Sequence, residues 1–329
     1  MRTFVLSGGG NRGPLQVGAL QVLLGEAGIV PEMIVGSSAG ALNGAYLAVE
    51  PTLKQVARMA ELWREGGRQK LFAASPVRAI ANLLRGKDHF VSNEKLREHV
   101  ARSLPHGTRT FGDLAVPLYV TICHLLTQTL YVYGDDPSAP LVDAVITSSA
   151  VPGFFPPRYH DGQAFVDGGV IANLPLRVAV ARGATEIWAI DLSFEVDPNT
   201  KIKSALDIIG CSVRRPLYNN IVHELEWAVQ QPDVTVHHVA ISSFQNVALG
   251  DFSGTEAMFA EGERVMRAYL DHPRPNEIAY PKRYAAQDLP PGPPGSRPFV
   301  ALREQTQPIA ANGKVRAEAI RANSLEFTP

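Results

Sequence analysis

Two glycine-bounded runs near the start of the chain carry residue types that could act on an acyl ester. Residues 7–14 read SGGGNRGP and contain Gly8-x-Gly10-x-x-Gly13, with Gly9 between the first two. Residues 34–42 read IVGSSAGAL and contain Gly36-x-Ser38-x-Gly40. The second spacing fits a nucleophile elbow, a sharp strand-to-helix turn that exposes a serine hydroxyl between small neighbours. The first fits a loop for a pyrophosphate or for an oxyanion. Successive N–H groups at a helix N-terminus favour negative charge, and glycines admit close approach. Arg12 adds a fixed positive charge there.

The nucleotide alternative can be tested within the sequence. A dinucleotide site needs an acidic residue at the end of the second strand. That strand ends MIVGSSAG, and Glu32 precedes it, at the wrong end. A Walker A loop fails too, because Pro14 and Leu15 follow Gly13 where Lys and Ser/Thr are required. An anion-binding loop or a bare turn remains. Of the two serines, Ser37 is the better placed to cap the following helix, which leaves Ser38 for chemistry.

A conventional triad would next need histidine. His124, His160, His223, His237, His238 and His272 lie downstream, none in a convincing site loop, and VHHV reads as a strand with one imidazole on each face. Asp167, in AFVDGGVIANLP, closes a strand before two glycines. Alone, it reads as an Asp-Gly turn. A free aspartate, with a pKa near 3.9, is a poor base for a serine hydroxyl. Desolvation would raise it, and Phe154, Phe155 and Phe165 are candidates for an apolar lining.

The elements that must position these groups follow from periodicity. Short apolar runs at 3–7 and 33–36 read as buried strands, each followed by a helix, the second over 38–49. Strand–helix–strand–helix predicts an α/β fold with a mostly parallel central sheet flanked by helices, a three-layer sandwich. Residues 51–104 read as largely helical and amphipathic, including 76–86, with a loop around RGKDHFVSNE. Further strands are expected at 117–123, 129–134, 163–170, 186–191 and 234–241, and helices at 140–150, 175–182 and 255–270. An apolar loop, VPGFFPP, separates the helix at 140–150 from the strand that carries Asp167. The composition turns Pro/Gly-rich at 288–298, so residues 1–282 are expected to form one catalytic domain and 283–329 a linker and tail.

Bulk properties narrow the partners. The 329 residues are 45% hydrophobic with net charge −1, enough for a large core and no basis for nucleic-acid binding. The basic pairs Arg214–Arg215 and Lys282–Arg283 read as solvated surface. Two cysteines, Cys123 and Cys211, form no disulfide framework or zinc spacing and read as small apolar residues. No cofactor or metal is expected. No signal peptide or membrane-spanning run is evident, which predicts a cytoplasmic protein, with peripheral membrane contact left open.

Taken together the motifs resemble one family. GGGNRGPLQVGAL (8–20), GSSAG (36–40), SSAVPGFFPP (148–157) and VDGG (166–169) look like the four motif blocks of patatin-like phospholipases, in that family's order. The resemblance runs over roughly residues 3–270 and leaves the tail unmatched. It implies a serine lipid acyl hydrolase with Ser38 as nucleophile, Asp167 as base, and Gly8, Gly9, Gly10, Arg12 and Gly13 in the oxyanion loop. It also implies a lipid acyl ester as substrate and no cofactor. An acyltransferase on the same dyad, or a non-catalytic lipid-binding module, would share these residues.

Overall fold

The computed structural model describes residues 1–69, 71, 85–105, 107–192, 205–245 and 247–280. Most of the apolar run 76–86, the Lys282–Arg283 pair, the Pro/Gly-rich tail and the side chains of Cys211, Arg214 and Arg215 lie outside the described residues. Of two compact units, Met1–Ala279 and Tyr280–Pro329, the first holds every element below.

Strand β1 (Arg2–Leu6) begins the chain, and Pro14 in the first turn starts α1 (Gly13–Gly25). Strand β2 (Met33–Gly36) leads into α2 (Ala39–Val49). Both strands are buried along almost their whole length, because a parallel sheet is covered by helices on its two faces. Thr52 caps α3 (Leu53–Arg68) by accepting a hydrogen bond from the Gln55 N–H. The helix α4 (Glu94–Ser103), strands β3 (Leu118–His124) and β4 (Thr129–Tyr133), and α5 (Leu141–Ser148) follow. After them come β5 (Arg158–His160), β6 (Gln163–Asp167), α6 (Gly169–Ala172), α7 (Leu176–Ala181) and β7 (Glu186–Asp191). The helix α8 (Ala205–Ala228), β8 (Thr235–Ala240) and α9 (Thr255–Asp271) complete the unit.

The hydrogen-bonded path through the eight-stranded sheet is β5-β6-β3-β2-β1-β7-β8, with β4 also on β3. The β1, β2, β3, β7 and β8 strands run parallel; β4, β5 and β6 supply antiparallel pairs. Helices α1, α3 and α9 pack together in one layer, and α7 packs on β1 and β2 and against α8. This is the three-layer α/β arrangement expected from the sequence. The strand β5 was not anticipated: its three residues, Arg158, Tyr159 and His160, are all exposed and carry no apolar alternation. None of the described helices is long and apolar enough to cross a membrane.

The register along β3 positions the site. Both β4 and β6 pair with Ile122–His124, so they occupy opposite edges of β3. Val120 pairs with both Gly36 of β2 and Tyr133 of β4, so those two strands also lie on opposite edges. It follows that β2 and β6 share one edge of β3 and approach each other end to end. The rising β2 stops at Gly36, opposite Val120; the descending β6 stops at Asp167, opposite Ile122. Ser38 and Asp167 are thereby delivered to one gap in the sheet, although they lie 129 positions apart in the sequence.

Candidate active site

Ser38 stands where β2 turns into α2, with φ 54° and ψ −120°. Few non-glycine residues hold such a backbone, and it costs about 1–3 kcal/mol unless the surroundings enforce it. The surroundings here are close backbone contacts. A Cβ on Gly40 would overlap the Leu6 carbonyl, and one on Gly36 would lie 2.5 Å from the Gly40 carbonyl oxygen. The Ser38 N–H donates to Ser148 Oγ at 2.9 Å, tying the elbow to the end of α5. The expected capping role of Ser37 is not found. Its Oγ is buried without a hydrogen-bond partner, and Ser38 itself occupies the N-cap position of α2 without a side-chain cap. The Ser37 hydroxyl lies near Gly169, within 3.5 Å of where a Cβ on that residue would stand.

Asp167 is 5% exposed. Its N–H donates to the Ala150 carbonyl at 3.0 Å, and the Gly169 N–H donates to its Oδ1 at 2.7 Å. Burial pushes its pKa up to about 6 from the usual 3.8, opposed first by hydrogen bonding from Ser38 and then by the Gly169 N–H. Ser38 thus lies within hydrogen-bonding reach of the carboxyl, and such contacts commonly tighten when substrate binds. Phe155 lines the pocket before Ser38, and Phe154 packs edge-on against it at 4.8 Å between centroids. Phe165 packs instead against His124 and Tyr131.

The glycine loop divides its tasks. The Gly8 N–H is engaged by the Asn173 carbonyl at 3.0 Å, and Asn173 Nδ2 donates back to the Gly8 oxygen at 3.3 Å. The Gly13 N–H bonds to the Gly10 carbonyl, and its missing Cβ lets the Trp63 ring lie against the backbone. Among the described residues, no protein acceptor takes the N–H of Gly9 or Gly10. Gly10, at φ +59°, lines the Ser38 pocket. Arg12 departs from the expectation. It is 2% exposed, and its guanidinium donates to the Leu192 carbonyl, so it braces the loop beneath the pocket.

The pocket itself holds about 260 Å³ of atom-free space, its opening included, between Gly10, Ser38, Leu42, Phe155 and Leu249. Leu249 comes from the 247–251 segment, which Asn11 fastens by donating to the Ala248 and Asp251 carbonyls at 2.8 and 2.6 Å. The sequence did not single out Ser148, Asn173, Asn11 or Leu249. Ser148, Asn173 and Asn11 fall in or beside the motif blocks, a signal of place without a role; Leu249 comes from a segment remote in sequence.

No described histidine bonds to Ser38 or Asp167. His237 stacks on Trp188 at 4.1 Å between centroids, while buried His238 faces Asp191 at 3.2 Å and accepts from the Ala279 N–H at 3.0 Å. His124 bonds Thr127 and Gln163. His160 and His223 meet the acidic Asp161 and Glu226. Among the described residues no cluster of His, Cys, Asp and Glu could hold a metal ion. Cys123 is a buried, free thiol.

A family model described as patatin-like phospholipase matches residues 4–180, a span that includes both Ser38 and Asp167. Patatin-like phospholipase domain-containing protein 7 of Rattus norvegicus is 32% identical over 190 residues, 57% of this chain and 13% of that protein. Lysophospholipase NTE1 of Mycosarcoma maydis is 28% identical over 191 residues, again 57% of this chain and 9% of that protein. The chain thus spans only a small part of the length of these relatives. Among solved structures, VipD from Legionella pneumophila matches with a TM-score of 0.44 at 16% identity, over 82% of this chain and 66% of that one.

Proposed function

The chain belongs to the patatin-like phospholipase family, and from that premise we propose that it is a serine lipid acyl hydrolase working through Ser38 and Asp167. Ser38 Oγ attacks the carbonyl carbon of an acyl ester while its proton passes to the Asp167 carboxylate. The N–H groups of Gly9 and Gly10 stabilise the tetrahedral oxyanion, at about 2.7–4 kcal/mol per donor. Asp167 returns its proton to the departing alcohol oxygen, leaving an acyl ester on Ser38. Water then attacks that ester, giving up a proton to Asp167, and the fatty acid leaves as Ser38 Oγ is reprotonated.

The observation that carries this reading is the carboxyl of Asp167. It is buried where β6 ends along β3 facing the end of β2 that leads to Ser38, and burial raises its pKa to about 6, which makes it a better proton acceptor near neutral pH than a free aspartate. The relatives named phospholipase and lysophospholipase support a glycerolipid substrate. The test is fatty-acid release from short-chain and phospholipid esters by wild type, Ser38→Ala and Asp167→Asn, each first shown to be folded. Both substitutions are expected to cost at least about a thousandfold in kcat. Replacement of His124, His237 or His238 should leave the chemical step intact. An Asp167→Asn protein as active as wild type would rule out the dyad.

A further inference from the structure

A second cavity adjoins the Ser38 pocket, and Leu42 lines both. It is enclosed by α2, α3 and α4, with walls formed by Leu42, Tyr46, Met59, Trp63, Leu96 and Val100. These walls are almost wholly apolar, and the polar ends of Trp63 and Asn43 are turned into hydrogen bonds. The Trp63 Nε1–H donates to Asn43 Oδ1 at 2.8 Å, and Asn43 Nδ2 donates to Gln16 Oε1 at 2.9 Å and to the Gly13 carbonyl at 3.1 Å. Through Asn43, and through the Trp63 ring resting on Gly13, the cavity wall is joined to the glycine loop. The larger depression between α3 and α9, bordered by Arg64, Arg68, Asp251 and Glu256, has the opposite chemistry.

Helical geometry orders the cavity relative to the nucleophile. Leu42 and Tyr46 are spaced by four residues on α2 and so share one face of it, and from Ser38 at the N-cap to Tyr46 the helix rises by about 12 Å. The cavity has about 390 Å³ of atom-free space, its mouth included. Little of that space is wide enough for a water molecule, so the cavity is narrower than an open ligand site. A ligand therefore enters by displacing side chains, and Met59, unbranched and adaptable, is suited to yield.

We propose that this cavity holds the acyl chain of the ester attacked by Ser38, the chain passing Leu42 and ending against Tyr46. The inference rests on Ser38 being the nucleophile. It makes the α2–α3–α4 interface the determinant of acyl-chain length, with a preference for unbranched chains of medium length. Each methylene that reaches the cavity raises kcat/KM several-fold, until Tyr46 stops the series.

Two measurements test it. The first compares kcat/KM for the decanoate and acetate esters of p-nitrophenol in wild type, Met59→Phe and Val100→Phe, all shown to be folded. The decanoate-to-acetate ratio should fall by about tenfold or more in both variants. An unchanged ratio overturns the proposal, because the chain then runs elsewhere. The second measurement needs no turnover. In Ser38→Ala, a brominated decanoic acid should quench the fluorescence of Trp63, and Trp63→Phe should abolish that part of the quenching. Quenching no greater than that given by bromoacetate also overturns it. A wild type inert on every ester, yet quenched through Trp63, would refute the hydrolase reading while upholding an acyl-chain site.

Discussion

A carboxyl group that keeps its proton up to about pH 6 in the fold, and to 3.8 outside it, links catalysis to stability. Below pH 4 Asp167 is neutral in both states and costs nothing. Between pH 4 and 6 the unfolded chain ionises while the folded one resists, so stability falls as pH rises, and above 6 the penalty is constant. From the two pKa values it amounts to about 3 kcal/mol. Asp167→Asn should therefore be more stable than wild type at pH 7.5, with the advantage shrinking towards pH 4; denaturant titrations across that range measure it. A constant difference would mean that burial does not govern this carboxyl. For wild type, kcat/KM should climb through an apparent pKa near 6. Ser38 is the second strained residue. Ser38→Gly relieves its backbone whereas Ser38→Ala keeps the strain, so the glycine variant should melt higher, although the proposed mechanism predicts no activity in either.

The elbow works as an element because β2, α2 and β1 touch through backbone. Gly40→Ala puts a methyl group into the Leu6 carbonyl, which no side-chain rotation can relieve. We expect it to cost about 1–3 kcal/mol and to displace Ser38, so that activity falls even in the fraction that remains folded. Activity per folded molecule, from urea midpoints and kcat measured together, distinguishes displacement from simple unfolding. This element was legible in the sequence because spacing alone demands small residues around a projecting serine. The strands β1, β2 and β7 were equally legible as short apolar runs. Other parts were not. Arg12 reads as a charge for an anion until its burial against Leu192 is seen, and Ser37 reads as a cap until the turn at Ser38 is known. Three exposed residues cannot announce β5. The meeting of β2 and β6 depends on pairing register along β3, which no local pattern encodes.

On the scale of the whole molecule, the sheet carries the site by way of its centre. Strand β1 is hydrogen-bonded on both sides, to β2 and β7, and its Phe4, Val5 and Leu6 are inaccessible to solvent. Among the described residues strand β5 pairs with β6 alone, and it is exposed throughout. Opening β5 breaks a few bonds at an edge; opening β1 dismantles both helical layers. Amides of β1 should then exchange with deuterium only through global unfolding, and those of β5 through local fraying many times faster. The ionised Asp167 makes this distinction measurable. If it destabilises the fold as a whole, Asp167→Asn should slow exchange in β1 at pH 7.5 by about a hundredfold, the counterpart of about 3 kcal/mol, while β5 is unaffected. Slowing confined to residues beside Asp167, with β1 unchanged, would show that the carboxyl strains only its own turn. The end-to-end meeting of β2 and β6 would then open without the rest of the sheet.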